Sequence, residues 1–177
     1  VFTNILLADE INRAPAKTQS ALLEVMQEHQ VTIDSKPYKL TEPFMTMATE
    51  NPLEQEGTYP LPEAQLDRFL LKILIDYPGQ DEEQQIVRQI TTNQFGDGLN
   101  VDAVEKIITP EELVSLQKVT SQIKLDDRVL DYAVRITRQT RSWPGITVGA
   151  GPRGAIGLIR AAKAAALLRG RDFVTPD

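Results

Sequence analysis

No cysteine occurs among the 177 residues, which excludes disulfides, thiolate metal sites and a cysteine nucleophile. A single histidine, His29, leaves a histidine-based zinc centre or a Ser-His-Asp triad without the residues it needs. His29 itself reads as a surface residue. No apolar run approaches the roughly 18 residues that span a bilayer, and no signal-peptide pattern is present, so the expected location is the cytoplasm. A net charge of -6 argues against a dedicated nucleic-acid binder. Gly-x-x-x-x-Gly-Lys-[Ser/Thr], the loop that cradles nucleotide phosphates, is also absent from these 177 residues.

The hydrophobic content of 41% and charged content of 25% are ordinary for a soluble globular protein, and the length suits one large domain or two small ones. Charge is unevenly placed: residues 126–177 carry 9 basic and 5 acidic side chains, whereas residues 1–78 carry 6 and 12. A basic last third can face a phosphate ligand or an acidic surface of another subunit. It can equally be two solvated helix faces.

The most informative stretch is Asn-Ile-Leu-Leu-Ala-Asp-Glu-Ile-Asn-Arg at residues 4–13. Four apolar residues without alternation predict a strand buried on both faces of a parallel sheet. The run stops at two carboxylates. Ligands of open α/β sheets sit beyond the carboxyl ends of the strands, so Asp9 and Glu10 would lie where a phosphate ester and its metal belong. There Asp9 could hold Mg²⁺ and Glu10 could orient and deprotonate water. The alternative is a strand ending in a solvated acidic turn.

Downstream, Ala14-Pro15 opens a helix to about Glu28 with a stripe of Ala21, Leu22, Val25 and Met26. Residues 31–40 alternate around a polar turn and predict a β-hairpin. Residues 44–49 read as a second core strand ending at Glu50-Asn51-Pro52. A parallel neighbour ends on the same side, so Asn51 projects to the edge that Asp9 and Glu10 occupy, where an amide can align water against a terminal phosphate. An ordinary Asn-Pro turn is the competing reading. Residues 60–69 predict a short helix, and residues 70–75 a third buried strand. Arg68 just before it either pairs with Asp67 or Glu63 or faces a neighbouring subunit's phosphate.

Beyond Pro78 helix signals replace strand signals. Helices are expected from Asp81 to about Thr92, after Thr109-Pro110, over residues 127–141 (burying Val129, Ala133, Val134 and Ile136 to differing degrees, with Arg128, Arg135, Arg138 and Arg141 outward), and from Pro152 to Leu168. An exposed loop is expected at residues 95–100. The expected organisation is therefore α/β over residues 1–78 followed by all-α over residues 79–177. Arg153 falls in the first turn of its helix, where the dipole disfavours a cation unless an anion compensates. Val1 and the helix-opening Thr175-Pro176-Asp177 lead to the expectation of a fragment of a longer protein, with any phosphate cradle upstream.

Taken together, Leu-Leu-Ala-Asp-Glu-Ile-Asn-Arg-Ala-Pro at residues 6–15, Ala-Thr-Glu-Asn-Pro at 48–52, Glu-Ala-Gln-Leu-Asp-Arg-Phe at 63–69 and Gly-Pro-Arg at 151–153 resemble the AAA+ ATPases, specifically the MoxR family. That resemblance implies a partial P-loop NTPase core with a parallel sheet, a pre-sensor 1 hairpin at residues 31–40, and a truncated helical lid. It implies ATP and Mg²⁺ as ligands, Asp9-Glu10 as the Walker B pair, Asn51 as sensor 1, Arg68 as the arginine finger and Arg153 as the sensor 2 arginine. It further implies a ring, usually a hexamer, that remodels or matures protein clients, often beside von Willebrand factor A domain partners. These 177 residues alone are expected not to hydrolyse ATP. The competing functions are a magnesium-chelatase-like subunit, a helicase, for which Lys36 and Lys39 are the only hairpin cations, and a non-catalytic interaction module.

Overall fold

A computed structural model describes residues 3–51, 57–92 and 104–177. Two compact units emerge, one of residues 1–70 and 110–177 and one of residues 71–109. The expected loop at residues 95–100 lies outside the described residues.

In the larger unit, strand β1 (Ile5–Ala8) leads through a 3₁₀ turn (Ile11–Arg13) into helix α1 (Ala16–Glu28). Strands β2 (Gln30–Ile33) and β3 (Lys36–Lys39) form the expected hairpin. Both turn residues, Asp34 and Ser35, have positive φ, which matches the twist of the flanking strands. Strand β4 (Met45–Ala48) then pairs in parallel with β1, Ile5 opposite Met45 and Ala8 opposite Ala48. A parallel pair needs a long crossover, which α1 and the hairpin supply. Leu22 of α1 joins Ile11 and Leu61 in a small core, with Leu6, Ala8, Met26 and Ala48 packed against it.

Two expectations about burial are corrected. Strand β1 is covered on one face only: Leu6 and Ala8 pack on the core, whereas Ile5, Leu7, Met45 and Met47 are exposed. A strand is buried twice only when a second layer lies on its other face, and the described residues supply one layer. Residues 70–75 form no strand; Leu74 and Ile75 are 84% and 89% exposed. A strand takes its backbone hydrogen bonds from a neighbour, and among the described residues none pairs with this segment.

Helix α2 (Glu63–Leu66) precedes Arg68. In the smaller unit helix α3 (Gln80–Thr91) begins with Asp81, Glu82 and Glu83 at its positive end, and Gly79 N–H donates to Glu82 at 3.0 Å. The helical part of the larger unit consists of α4 (Pro110–Gln122), α5 (Asp127–Gln139) and α6 (Pro152–Leu168). Ile123, Ala166 and Val174 form its core, and Leu125 and Val129 pack against them. On α5 the buried residues are Ala133 and Thr137, while Val134 and Ile136 are exposed, contrary to the sequence reading. The apolar stripe predicted on α5 was too wide: a four-residue step from Ala133 to Thr137 keeps one narrow face inward. Among the described residues no helix is long and apolar enough to cross a membrane.

Asp126 caps α5, accepting from Arg128 N–H at 2.9 Å and from the Arg128 side chain. These bonds hold its carboxyl down at about 2. A depressed carboxylate contributes stability above its unfolded value, and that contribution disappears as pH falls from about 4 through about 2. Asp126→Asn is expected to flatten the acid limb of the α5 unfolding curve in that window, measured by circular dichroism against pH.

The loop between α5 and α6 is stitched to the end of α5: Arg141 Nε donates to Ala150 O at 2.9 Å, and Ala150 N donates to Thr140 Oγ1 at 2.9 Å. A Cβ on Gly149 would stand 2.5 Å from Arg141 Cα and 2.6 Å from its N. Backbone cannot yield there without moving the loop that places Arg153. Gly149→Ala is expected to destabilise the protein by about 1–3 kcal/mol, read as a lower denaturant midpoint with an unchanged slope.

Candidate functional site

The apolar run of β1 ends because Asp9 and Glu10 cannot be buried unpaired, and the chain turns away from the sheet at that point. Glu10 carries φ 46 and ψ 49, the left-handed region, which costs a residue with a Cβ roughly 1–2 kcal/mol. The neighbouring strand offsets that cost. Thr49, the residue after β4, accepts Glu10 N–H on Oγ1 at 2.8 Å and Ile11 N–H on its carbonyl at 3.0 Å. Its own N–H donates to Ala8 O at 3.0 Å. The Thr49 hydroxyl proton goes to Asp9 Oδ1 at 2.6 Å, leaving Oδ2 with no hydrogen-bond partner among the described residues.

Glu10 Oε2 meets Arg13 Nε at 2.9 Å across the 3₁₀ turn, both side chains about 40% exposed. A pair so solvated is worth about 0–1 kcal/mol, so it orients the carboxylate without locking it. Asn51 lies three residues past β4, half-buried, and its carbonyl accepts from Asn12 Nδ2 at 3.4 Å. The carboxyl ends of β1 and β4 thus hold Asp9, Glu10, Thr49 and Asn51 along one edge.

A second link runs beneath this edge. Gln19 of α1, only 4% exposed, donates through Nε2 to Ile11 O at 3.2 Å and to Tyr59 O at 2.8 Å. It ties the 3₁₀ turn to the segment leading into α2. Past α2, Arg68 is half-buried and its Nε is buried without a hydrogen-bond partner among the described residues. A buried guanidinium N–H left unmatched costs free energy that an incoming acceptor can recover. Arg153, at the start of α6, faces Asp67 at 3.6 Å. The five predicted residues therefore fall into two groups: Asp9, Glu10 and Asn51 at the strand ends, and Arg68, next to Asp67 in the chain, with Arg153, which pairs with Asp67. Among the described residues no hydrogen bond or ion pair joins the arginines to Asp9 or Glu10.

Among the described residues no cluster of three or more histidine or acidic side chains could hold a metal unaided. The carboxylates of Asp9 and Glu10 suit Mg²⁺, which takes one or two carboxylates and keeps waters or substrate phosphates for the rest of its octahedron.

Sequence reasoning assigned no role to Thr49, Gln19 or Arg13. For Thr49 a signal existed: a hydroxyl one residue past a strand whose parallel neighbour ends in an acid. Gln19 also left a trace, a polar residue three positions before Leu22 on the inward stripe.

The profile of the ATPase family associated with various cellular activities (AAA) matches residues 1–71, and that of the AAA lid domain matches residues 138–177. The uncharacterized protein YeaC of Bacillus subtilis is 46% identical over 177 residues, covering all of this chain and 54% of its own length. Chaperone MoxR1 of Mycobacterium tuberculosis is 44% identical, covering all of this chain and 48% of its own. The crystal structure of a presumed ATPase from Cytophaga hutchinsonii superposes with a TM-score of 0.87 at 41% identity, over 99% of this chain and 55% of that one. The chain spans about half the length of each of these relatives.

Proposed function

This chain belongs to the AAA+ ATPases of MoxR type, and from that premise we propose that it supplies the hydrolytic half of a Mg²⁺-dependent ATP site in a longer chain. The observation that carries the proposal is Asp9 and Glu10 held at the carboxyl end of β1, with Thr49 and Asn51 beside them at the end of β4. Mg²⁺ on the nucleotide would supply charge neutralisation across the phosphates. Asp9 offers the carboxylate that would hold it, with Oδ2 the oxygen left over from the Thr49 bond. Glu10 takes the proton of the attacking water, and the Asn51 amide aligns that water.

Arg68 is the group assigned to charge developing on the terminal phosphate of a neighbouring subunit, and its unmatched buried Nε supports an acceptor arriving from outside. This makes the working unit a ring, with a hexamer the preferred size. Arg153 would report nucleotide state to the lid. The α/β part is assigned to residues 1–78 and the lid to residues 79–177. The work performed is remodelling or maturation of client proteins in the cytoplasm, with von Willebrand factor A domain proteins as partners, in line with the chaperone name of the Mycobacterium tuberculosis relative.

Steady-state hydrolysis tests the division of labour. The full-length protein is expected to turn over ATP with Mg²⁺ and to stop with EDTA, whereas residues 1–177 alone, without a phosphate-cradling loop, are expected to show no turnover above background. Robust hydrolysis by the 177 residues would contradict this account.

A further inference from the structure

We propose that Thr49 is the positioning residue of the site: its hydroxyl sets the carboxylate of Asp9 for the metal and holds Glu10 in its left-handed turn. The inference rests on the roles proposed above for Asp9 and Glu10. One hydroxyl offers one donor and two acceptor positions. Here the donor goes to Asp9 Oδ1 at 2.6 Å and one acceptor position takes Glu10 N–H at 2.8 Å. The short bond to an ionised acceptor is of the stronger kind. With the hydroxyl proton on Oδ1, rotation of the carboxylate is restrained and Oδ2 is the oxygen left without a hydrogen-bond partner among the described residues.

Thr49 is itself immobilised by two backbone bonds, its N–H to Ala8 O and its carbonyl from Ile11 N–H. The threonine is therefore a bracket anchored on both sides of the Asp9-Glu10 dipeptide. Removing the hydroxyl leaves the backbone bracket in place but frees the Asp9 rotamer and leaves Glu10 N–H without its acceptor. A side-chain hydroxyl, and not merely a β-branched shape, is what the position requires. Bonds of this outer kind typically govern metal affinity or activity by about 10- to 100-fold.

The test uses the full-length protein and its Thr49→Val, Thr49→Ser and Asp9→Asn variants, with Mg²⁺ titrated against a fluorescent ATP analogue and kcat and KM measured in parallel. Thr49→Val is expected to raise the half-saturating Mg²⁺ concentration about 10-fold or more and to lower kcat more than it raises KM. Thr49→Ser, which restores the hydroxyl without the methyl, is expected to recover the wild-type Mg²⁺ response to within about 3-fold. A wild-type Mg²⁺ response in Thr49→Val, with Asp9→Asn shifted, overturns the role of Thr49 and leaves the site intact. Equal impairment of Val and Ser variants overturns it too, since packing and not the hydroxyl is then at work. An unshifted Asp9→Asn overturns the site assignment, and the inference with it. Should Thr49→Val fail to fold, Thr49→Ala carries the same expectation.

Discussion

Glu10→Gln in the full-length protein is expected to lower ATP turnover by about 10²–10⁴-fold while leaving ATP affinity within a few-fold of wild type. Glutamine keeps the volume and the acceptor oxygen but cannot take a proton, so the loss isolates general-base chemistry from nucleotide binding. The surroundings of Glu10 make the substitution mild structurally. Its left-handed backbone is held by Thr49 through the main-chain N–H, not through the carboxylate. Its side-chain partner among the described residues, Arg13 at 2.9 Å, is solvated, and an amide oxygen can still accept from it. The expected signature is a reduced kcat at nearly constant KM. A large loss of affinity would instead place Glu10 in binding.

Arg68→Ala is expected to reduce turnover by about 10³–10⁵-fold, the range known for arginine fingers in phosphoryl transfer, again with binding spared. The distinctive expectation concerns mixing. A finger that reaches into a neighbour's site belongs to a head-to-tail interface, in which each site draws its water-activating carboxylate from one subunit and its arginine from the next. Equal amounts of Arg68→Ala and Glu10→Gln subunits, each inactive alone, would then reconstitute about a quarter of the interfaces by random assortment. Recovery of activity on mixing, measured by steady-state hydrolysis after subunit exchange, is the predicted result. If mixing recovers nothing although exchange is verified, Arg68 acts within its own subunit or not at all. The buried Nε of Arg68, without a hydrogen-bond partner among the described residues, leaves a deficit that an incoming acceptor would relieve, and mixing decides which subunit supplies it.

Much of the strand-end arrangement was legible in the residues because it is encoded locally. An apolar run that ends in Asp9-Glu10 marks both the strand and the acidic end, and the parallel partner at residues 45–48 follows from the same pattern. The hairpin was legible for a similar reason: alternation around Asp34-Ser35 encodes it within ten residues. What escaped were contacts between segments far apart in the chain. Thr49 lies 40 positions from Asp9, and no periodicity records that its hydroxyl ends there. Gln19 reaches Tyr59 across the same span.

The third strand expected at residues 70–75 shows the converse. An apolar run specifies that a segment can be buried, whereas pairing requires a neighbour with free backbone groups. No described strand supplies one to this run. The approach of Arg153 to Asp67 was equally invisible, since it depends on how α6 packs and not on either local sequence.

The most direct measurement is the chemical state of the nucleotide retained by the full-length Glu10→Gln protein. The variant is incubated with Mg²⁺ and ATP, separated from free nucleotide by gel filtration, quenched in acid and resolved by chromatography. Retained nucleotide that is overwhelmingly intact ATP, beside ADP in the wild type treated identically, is the predicted result. Retained ADP in the variant, or no retained nucleotide in either protein, would contradict the assignment of the β1 end as the place where ATP is hydrolysed.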